Sequence, residues 1–276
     1  MGETITDYTF SRFVYLDTNI VSHFLKNKAT WPRFRDYLTE SGLTLGIGGG
    51  QVSELSDAKS LLFELAKFLV SVPTGILKNW DEIIIEEVEA HPNPRKASLL
   101  MYPLNAILLE DNGFENLLQF LNSEALSDAR KVQIGHAGQM WVQHTKLKPN
   151  FPPSKSGKYD RSQAREFAEG QVFQWLSNNH HQFLQEIQRD ISKFNISVFQ
   201  SIRLYAYVLF YKYYLGEREP KKLSDFGDLF HLFSIPYCEI AVMERDLANV
   251  LNQIKNTQEI LGGTEIHNID FVRRFS

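Results

Sequence analysis

An apolar run that stops abruptly restricts the fold of this chain more than any other feature. Residues 13–16 read FVYL, and Asp17, Thr18 and Asn19 follow before the helix-like segment IVSHFLKNK. A short apolar run rich in residues that favour strands is typical of a buried strand. We therefore predict a buried strand that leads directly into a helix, with Asp17 at the junction.

Strand and helix signals continue to alternate as far as residue 72. A helix is expected over TWPRFRDYLTES, because Thr30 can cap its start and Gly42 can end it. A short strand, LTLGI, follows at 43–47, and the glycines at 48–50 lead into a long helical pattern. This alternation predicts a parallel sheet with helices packed on it.

The pattern changes in the middle of the chain and returns near its end. From Pro73 to Gly216 helical periodicity dominates and no strand is evident. A helix is expected at 223–233, a strand at 239–243 and a further helix after it. We therefore predict an α/β fold, a parallel sheet with helices packed on it. Its unit is split between 1–72 and 217–276, and a large, mostly helical insertion of 73–216 separates the two parts.

Composition limits the functions that are open to the chain. Its 276 residues carry 29 basic and 33 acidic side chains, a net charge of −4, which excludes a protein that coats nucleic acid through overall basic charge. The single cysteine, Cys238, excludes an internal disulfide, and a reducing cytoplasm fits best. The most apolar run, at 198–216, is interrupted by Gln200, Arg203 and Lys212, so we expect a buried helix and no membrane partner.

Acidic residues recur where the predicted strands end and the predicted helices begin. Asp17 follows the first strand, and Glu54 lies near the start of the helix after the glycines. Asp225 and Asp228 are three residues apart, so their carboxylates can converge on one helix turn. Each acid alone is explained as a helix cap or a solvated charge.

Gathered at one sheet edge, such carboxylates would repel one another, and the repulsion would raise their pKa values. A divalent cation would remove that conflict. Because the candidate ligands are oxygen atoms only, Mg²⁺ or Mn²⁺ is expected rather than zinc, and such ions activate water for phosphodiester hydrolysis.

Three motifs resemble parts of PIN domains, a superfamily of metal-dependent nucleases. VYLDTNIVSHF at 14–24 resembles the opening motif, and GGGQVSEL at 48–55 resembles the helix start that carries the family's second acid, here Glu54. DFGDLFHLFSIPYCEIAVMERDLANVL at 225–251 resembles the closing segment, with Asp228 as the third acid. The resemblance implies a PIN-like fold, a three-layer α/β/α arrangement around a parallel sheet with a large helical insertion. The helical middle of the chain departs from a minimal PIN domain.

The final acid of the resembled pattern has more than one candidate in this sequence. The family's usual Thr-x-Asp is replaced by Met243-Glu244-Arg245-Asp246. Glu244 or Asp246 could supply the last carboxylate, and Glu239, before the strand, is a third candidate.

The resemblance also implies a division of roles among the acids. Asp17 and Asp228 would bind the ion directly, and Glu54 would complete the site directly or through water. Asp225 and Glu244 would orient water molecules around the ion. The expected catalytic residues are therefore Asp17, Glu54, Asp225, Asp228 and Glu244, of which Asp17, Glu54, Asp228 and Glu244 are the expected metal ligands.

The resemblance favours an endoribonuclease, because RNA is the commonest substrate of the family. A DNA or flap-type nuclease that uses the same acids stays open, as does a PIN-like scaffold that binds without catalysis. A toxin, a defence effector and an RNA-processing enzyme would all have such a sequence. A regulatory protein or a second copy of the chain stays open as a further partner.

Local basic segments are the expected contacts for nucleic acid. The segment KLKPNFPPSKSGKYDRSQAR at 146–165 contains three prolines and six basic residues, and its composition indicates a solvated loop that could also contact phosphates. The candidates there are Lys146, Lys148, Lys155, Lys158, Arg161 and Arg165, with Lys221 and Lys222 as a second group.

Overall fold

A mostly parallel sheet of six strands runs through the centre of the protein. The structure is a computed structural model that describes residues 12–56, 59–94, 97–104, 112–220 and 224–276. The α/β class expected from the alternation is confirmed, since all neighbouring strands are parallel except β4, which is antiparallel to β3. The strands lie in the order β4-β3-β2-β1-β5-β6. They are β1 (Arg12–Leu16), β2 (Leu43–Gly48), β3 (Thr74–Leu77), β4 (Leu100–Pro103), β5 (Ile240–Val242) and β6 (Glu265–His267).

Helices connect the strands and cover both faces of the sheet. They are α1 (Thr18–Lys26), α2 (Trp31–Glu40), α3 (Gly49–Ser56), α4 (Lys59–Ser71), α5 (Trp80–Ala90), α6 (Gly113–Leu121), α7 (Glu124–Leu147), α8 (Gln163–Asn179), α9 (His181–Arg189), α10 (Gln200–Leu209), α11 (Ser224–Gly227) and α12 (Arg245–Thr257). A π-helical segment, Phe210–Leu215, continues α10, and a 3₁₀ helix, Asp228–Tyr237, continues α11. Shorter 3₁₀ segments are Lys28–Thr30, Lys148–Asn150, Ile191–Lys193, Ile196–Val198 and Ile269–Phe275.

Strand β1 is buried on both faces, as its unbroken apolar run predicts. Phe13 and Tyr15 pack into the cluster that includes α5, α10 and α12. Val14 and Leu16 alternate with them and pack into the cluster formed with α1, α2 and α4. Each such side chain contributes about 1.5–3 kcal/mol through burial, so the alternation fixes the register of β1 strongly.

The apolar run at 198–216 forms the buried helix that the sequence predicts. Its helix, α10, and the π-helical segment after it bury most of their side chains. Among the residues that the structure describes, no helix combines the length and the apolar composition that a bilayer crossing requires.

The expectation that no strand lies between residues 73 and 216 is wrong, because β3 and β4 both lie there. Strand β3 has only four residues, too few for an alternating pattern, and it includes Gly75. A Cβ at Gly75 would lie 2.6 Å from Leu100 Cδ1, so the glycine permits the close approach of β4. The division of the chain at 72 and 216 stays a prediction, with the third and fourth strands inside the segment that it assigns to the insertion.

The buried carboxyl group of Glu87 connects three helices through hydrogen bonds. Its Oε1 accepts hydrogen bonds from the Ser201 backbone N–H (2.7 Å) and the Tyr237 hydroxyl (2.5 Å), while its Oε2 is buried with no partner among the described residues. Burial raises the pKa of Glu87 to about 7, although both hydrogen-bond partners lower it. Glu87 therefore links α5 to the start of α10 and to the end of the 3₁₀ helix before β5.

Protein stability should depend on the protonation of Glu87. Its pKa is higher in the folded than in the unfolded chain, so between about pH 4.5 and 7 the unfolded carboxyl loses a proton that the folded one retains. The free energy of unfolding should fall over this interval by up to about 3 kcal/mol. In Glu87→Gln this fall should be largely absent, as measured by urea unfolding at pH 5, 6, 7 and 8.

Glu89→Gln provides the control, because Glu89 is exposed on the same helix. That variant should keep the pH profile of the parent protein. Parallel profiles for Glu87→Gln and the parent protein would contradict a coupling between Glu87 and folding.

Candidate active site

The strand order reverses direction at β1, and the acidic residues lie at this point. Strands β2 and β3 follow on one side of β1, whereas β5 and β6 lie on the other. Ligand crevices in open α/β sheets form at such a reversal, outside the carboxyl ends of the strands. Asp17 directly follows β1, and its backbone N–H donates to the carbonyl of Val242 at the end of β5 (2.9 Å).

Glu244 is the last-strand acid that the structure brings beside Asp17. The Asp17 carboxylate accepts from the Thr18 backbone N–H (2.8 Å), as a helix cap, and from the Glu244 backbone N–H (3.4 Å). The Asn19 side-chain amide donates to the Glu244 carboxylate. The segment after β1 and the segment after β5 are therefore joined by these contacts.

The two other candidates for the last acid lie elsewhere. Glu239 stands at the start of β5, at the opposite end of the strand, where it is 3.6 Å from the guanidinium of Arg12. Asp246 lies on α12 and accepts two hydrogen bonds from Arg218, at 2.5 and 2.9 Å. Neither acid lies beside Asp17 as Glu244 does.

Glu54 reaches the same edge from α3. Its carboxylate accepts from the Thr18 hydroxyl (2.7 Å) and lies 3.3 Å from the Nε2 atom of His231. The buried side chain of Gln51, one turn earlier, donates to the carbonyl of Leu16 and accepts from the Gly48 backbone N–H (2.8 Å). Gln51 thus links the carboxyl ends of β1 and β2 and fixes the helix that carries Glu54.

Asp228 and His231 share one face of a 3₁₀ helix, where the sequence predicts a regular helix. Residues three apart eclipse one another in this geometry. His231 follows Asp228 by three residues, so both side chains can face Glu54. Asp225 lies one turn earlier, on α11, and its backbone carbonyl accepts from the Tyr213 hydroxyl (3.5 Å).

The pKa values record the close approach of these acids. Burial raises the pKa of Asp17, while the charge of His231 and two backbone hydrogen bonds lower it. Although Asp228 is exposed as a residue, desolvation of its carboxyl group and the charge of Glu54 raise its pKa to about 6. For His231, burial lowers the pKa, but the hydrogen bond to Glu54 and the three nearby carboxylates outweigh it and raise the pKa.

The donor set has the chemistry of a site for a hard divalent cation, but its present arrangement does not enclose one. Within the described residues, no group of three or more carboxylate, imidazole or thiol side chains is arranged to hold an ion. Glu54 is turned toward Thr18 and His231, and Asp17 caps α1. A shared ion would require Glu54 to turn away from Thr18 or His231.

A small cavity lies beside His231, the neighbour of Glu54, and is lined by groups that the sequence did not single out. It has a volume of about 50 Å³, and Tyr15, Gly50, Gln133 and His231 are among the residues that line it. The Tyr15 hydroxyl is buried and has no hydrogen-bond partner in the described part of the chain. A Cβ at Gly50 would lie 2.5 Å from Gln133 Oε1 and 3.2 Å from His231 Cε1, so a larger residue there would require both side chains to shift.

Of these residues, His231 could have been selected from the sequence, whereas Gln133 could not. His231 has a visible signal, since it follows Asp228 by three residues in a segment already selected for its acids. Gln133 has none, because it lies in the helical middle of the chain. Its amide donates to the carbonyl of Gly227 (3.1 Å), so α7 contributes to the surroundings of Asp228.

Most of the described residues predicted to contact nucleic acid are exposed, and two of them form ion pairs. Lys146, at the end of α7, and Lys155, Lys158 and Arg161, in the following loop, are exposed. Lys148 pairs with Glu219, and Arg165, which lies in α8 rather than in the loop, pairs with Glu169 (2.8 Å). Lys221 and Lys222 lie outside the described residues.

Comparisons of the chain with protein-family models, with curated proteins and with solved structures give no match. The candidate site is therefore described from the positions of its residues alone. Its acids come from segments around β1, α3, the 3₁₀ helix and β5, and they meet at one edge of the sheet.

Removing the charge of Glu54 should lower the pKa of His231. In Glu54→Gln the burial of the imidazole stays, whereas the nearest negative charge is lost, so the pKa should move toward or below its ordinary value. NMR titration of the histidine side chains, with His231→Gln for assignment, measures the change. Glu239→Gln, at the other end of the strand, should leave the titration of His231 as it is in the parent protein. An unchanged pKa in Glu54→Gln would contradict the pairing.

Proposed function

We propose that this protein is a metal-dependent nuclease of the PIN type that hydrolyses phosphodiester bonds in RNA. One observation carries the proposal: acids from three separated segments meet at one edge of the sheet. Glu54 lies 3.3 Å from His231 and accepts from Thr18, next to Asp17, while Asp17 accepts from the Glu244 backbone N–H. Burial and the charge of Glu54 also raise the pKa of Asp228, and a carboxyl group perturbed in this way marks a candidate functional site. A mostly parallel sheet covered by helices on both faces agrees with the fold that the resemblance implies.

Each residue at this edge of the sheet would have a separate role in binding the ion or orienting its ligands. Asp17 and Asp228 would bind Mg²⁺ or Mn²⁺ directly, with Glu54 and Glu244 completing the site. When bound, such an ion supplies an activated water for attack on phosphorus and stabilises negative charge on the phosphate oxygens. Thr18 and Asn19 would orient Glu54 and Glu244 through the hydrogen bonds that they already donate. Asp225, one turn from Asp228, would orient water.

RNA rather than DNA is proposed from the family resemblance, and the exposed basic loop supports a nucleic-acid substrate. Two ion pairs hold the start of the loop near the acids. Lys148 pairs with Glu219, and Arg218, the residue before Glu219, pairs with Asp246. Asp246 is two residues beyond Glu244. The cations of the loop would thus approach the same end of the sheet as the acids.

A second candidate function, nucleic-acid binding without catalysis, is favoured by one observation. The described side chains are not arranged around an ion, and Glu54 is occupied by Thr18 and His231. A scaffold of this kind would keep the acidic edge and the basic loop but would bind no divalent cation with a defined stoichiometry.

Asp17→Asn should abolish metal-dependent cleavage and leave the fold intact. The substitution removes a direct ligand, so cleavage of single-stranded RNA with Mg²⁺ or Mn²⁺ should fall by at least about a hundredfold. The melting temperature should not decrease, because Asp17 loses a charge that its surroundings disfavour. Single-stranded RNA, single-stranded DNA and branched duplexes, assayed together, identify the substrate.

Asp36→Asn is the matched control, since Asp36 is exposed on α2 and pairs only with its neighbour Arg35 among the described contacts. It should cleave at the parent rate, and full activity in Asp17→Asn would refute the nuclease. Calorimetric titration with Mn²⁺ separates the second candidate. One site per chain that is lost in Asp17→Asn supports the enzyme, and no specific binding supports the scaffold.

Neutralising the exposed loop should weaken the salt dependence of RNA binding. In Lys155→Gln/Lys158→Gln, two phosphate contacts would be lost, so the slope of log affinity against log salt should become shallower by about 1.4 for a single strand. Binding of labelled RNA at several salt concentrations measures this slope. Lys26→Gln/Lys67→Gln, which removes two charges on α1 and α4, should keep the parent slope. An unchanged slope in the loop variant would exclude the loop from the interface.

A further inference from the structure

A second cleft lies between α7 and α8, and Trp80 lines both this cleft and the cavity beside the acids. It has a volume of about 70 Å³. Most of its lining consists of side-chain amides, contributed by both helices. They are Gln139, Gln143, Gln171, Gln174, Asn178 and Asn179.

The spacing of these amides directs them to one face of each helix. Gln139 and Gln143 are four residues apart on α7, whereas Gln171, Gln174 and Asn178 follow one face of α8 at intervals of three and four. The residues described around the cleft include no carboxylate, ammonium or guanidinium group. The cleft is therefore polar without being charged.

Several of the amides have hydrogen-bonding capacity that the protein does not use. Gln171 donates to Gln174 (3.3 Å), and Asn179 donates to the carbonyl of Trp175 (2.9 Å). The side chains of Gln139, Gln143 and Asn178 make no hydrogen bond within the part of the chain that the structure describes. Each amide offers both a donor and an acceptor, the combination that the edge of a nucleobase presents.

Aromatic rings stand beside the amides. Trp80 meets His136 edge to face, with ring centroids 4.9 Å apart, and meets Trp175 in the same way at 5.6 Å. Proteins that bind single-stranded RNA stack unpaired bases on aromatic side chains and hydrogen-bond to the base edges. The cleft contains both kinds of group.

We infer that this cleft binds a nucleobase of the RNA strand whose phosphodiester bond lies at the acidic site. The inference rests on the proposed function and adds a base-reading subsite to it. Uncharged amides do not suit a phosphate, whereas they can distinguish one base edge from another. The space accepts part of one ring rather than a duplex. Trp80 lines both cavities, and His231, which lies 3.3 Å from the Glu54 carboxylate, lines the one nearer the acids.

Binding of single-stranded decamers of adenylate, uridylate and cytidylate tests the inference. The 276-residue Asp17→Asn protein, which should not cleave, is titrated into each labelled decamer, and fluorescence anisotropy gives the affinity. We expect one base to bind about tenfold more tightly than the weakest, as a base-specific pair of hydrogen bonds implies. In Gln143→Met and Gln174→Met, added singly and together, the preference should fall below about twofold.

Gln253→Met is the control, because Gln253 is exposed on α12, away from the cleft. It should keep the base preference, and melting temperatures verify that every variant is folded. Equal binding of the three decamers, absence of binding, or a preference that the amide variants retain would overturn the inference, even where Asp17-dependent cleavage occurs. Conversely, a base preference that the amide variants lose supports the subsite even if no divalent cation promotes cleavage.

Discussion

The position of β1 is the constraint on which the other features of the site depend. The strand is hydrogen-bonded to β2 on one side and to β5 on the other, and its side chains are buried on both faces. Its end therefore cannot shift without disturbing two strand pairings and two apolar clusters. Asp17 is held at that end, and its backbone bond to Val242 brings Glu244 alongside.

At this edge of the sheet the acidic side chains lie close enough for their negative charges to repel one another. Desolvation and mutual repulsion disfavour the charged forms of Asp17 and Asp228, and protonated His231 is the described group that opposes this repulsion most directly. Such a site lowers stability locally, and the apolar packing on both faces of the sheet offsets that cost.

Local sequence was enough to predict the central part of the fold and its first acid. The apolar run of β1 and its abrupt end are visible without any knowledge of tertiary structure, and so is the helix at 198–216. Two strands were harder to predict, β3 with four residues and β6 with three. They form by pairing with neighbouring strands, and so short a segment carries little sequence signal for that pairing.

Only some of the residues that form the site could be predicted, because the positions of the others depend on contacts between segments that are distant in sequence. Glu244 lies beside Asp17 because the pairing of β1 with β5 sets the residues that follow the two strands side by side. Glu239 precedes β5, at its other end, and Asp246 pairs with Arg218 on α12. His231 joins Asp228 because the helix there is 3₁₀. The contact of Gln133 with Gly227 links segments that no local pattern connects.

The absence of a side chain at Gly50 couples two segments that are far apart in the sequence. A Cβ there would lie 2.5 Å from the end of the flexible Gln133 side chain and 3.2 Å from the ring of His231, so both side chains would have to shift to accept a larger residue. Gln133 belongs to the helical middle and His231 to the acid-bearing helix. A substitution at position 50 would therefore be transmitted to both segments at once.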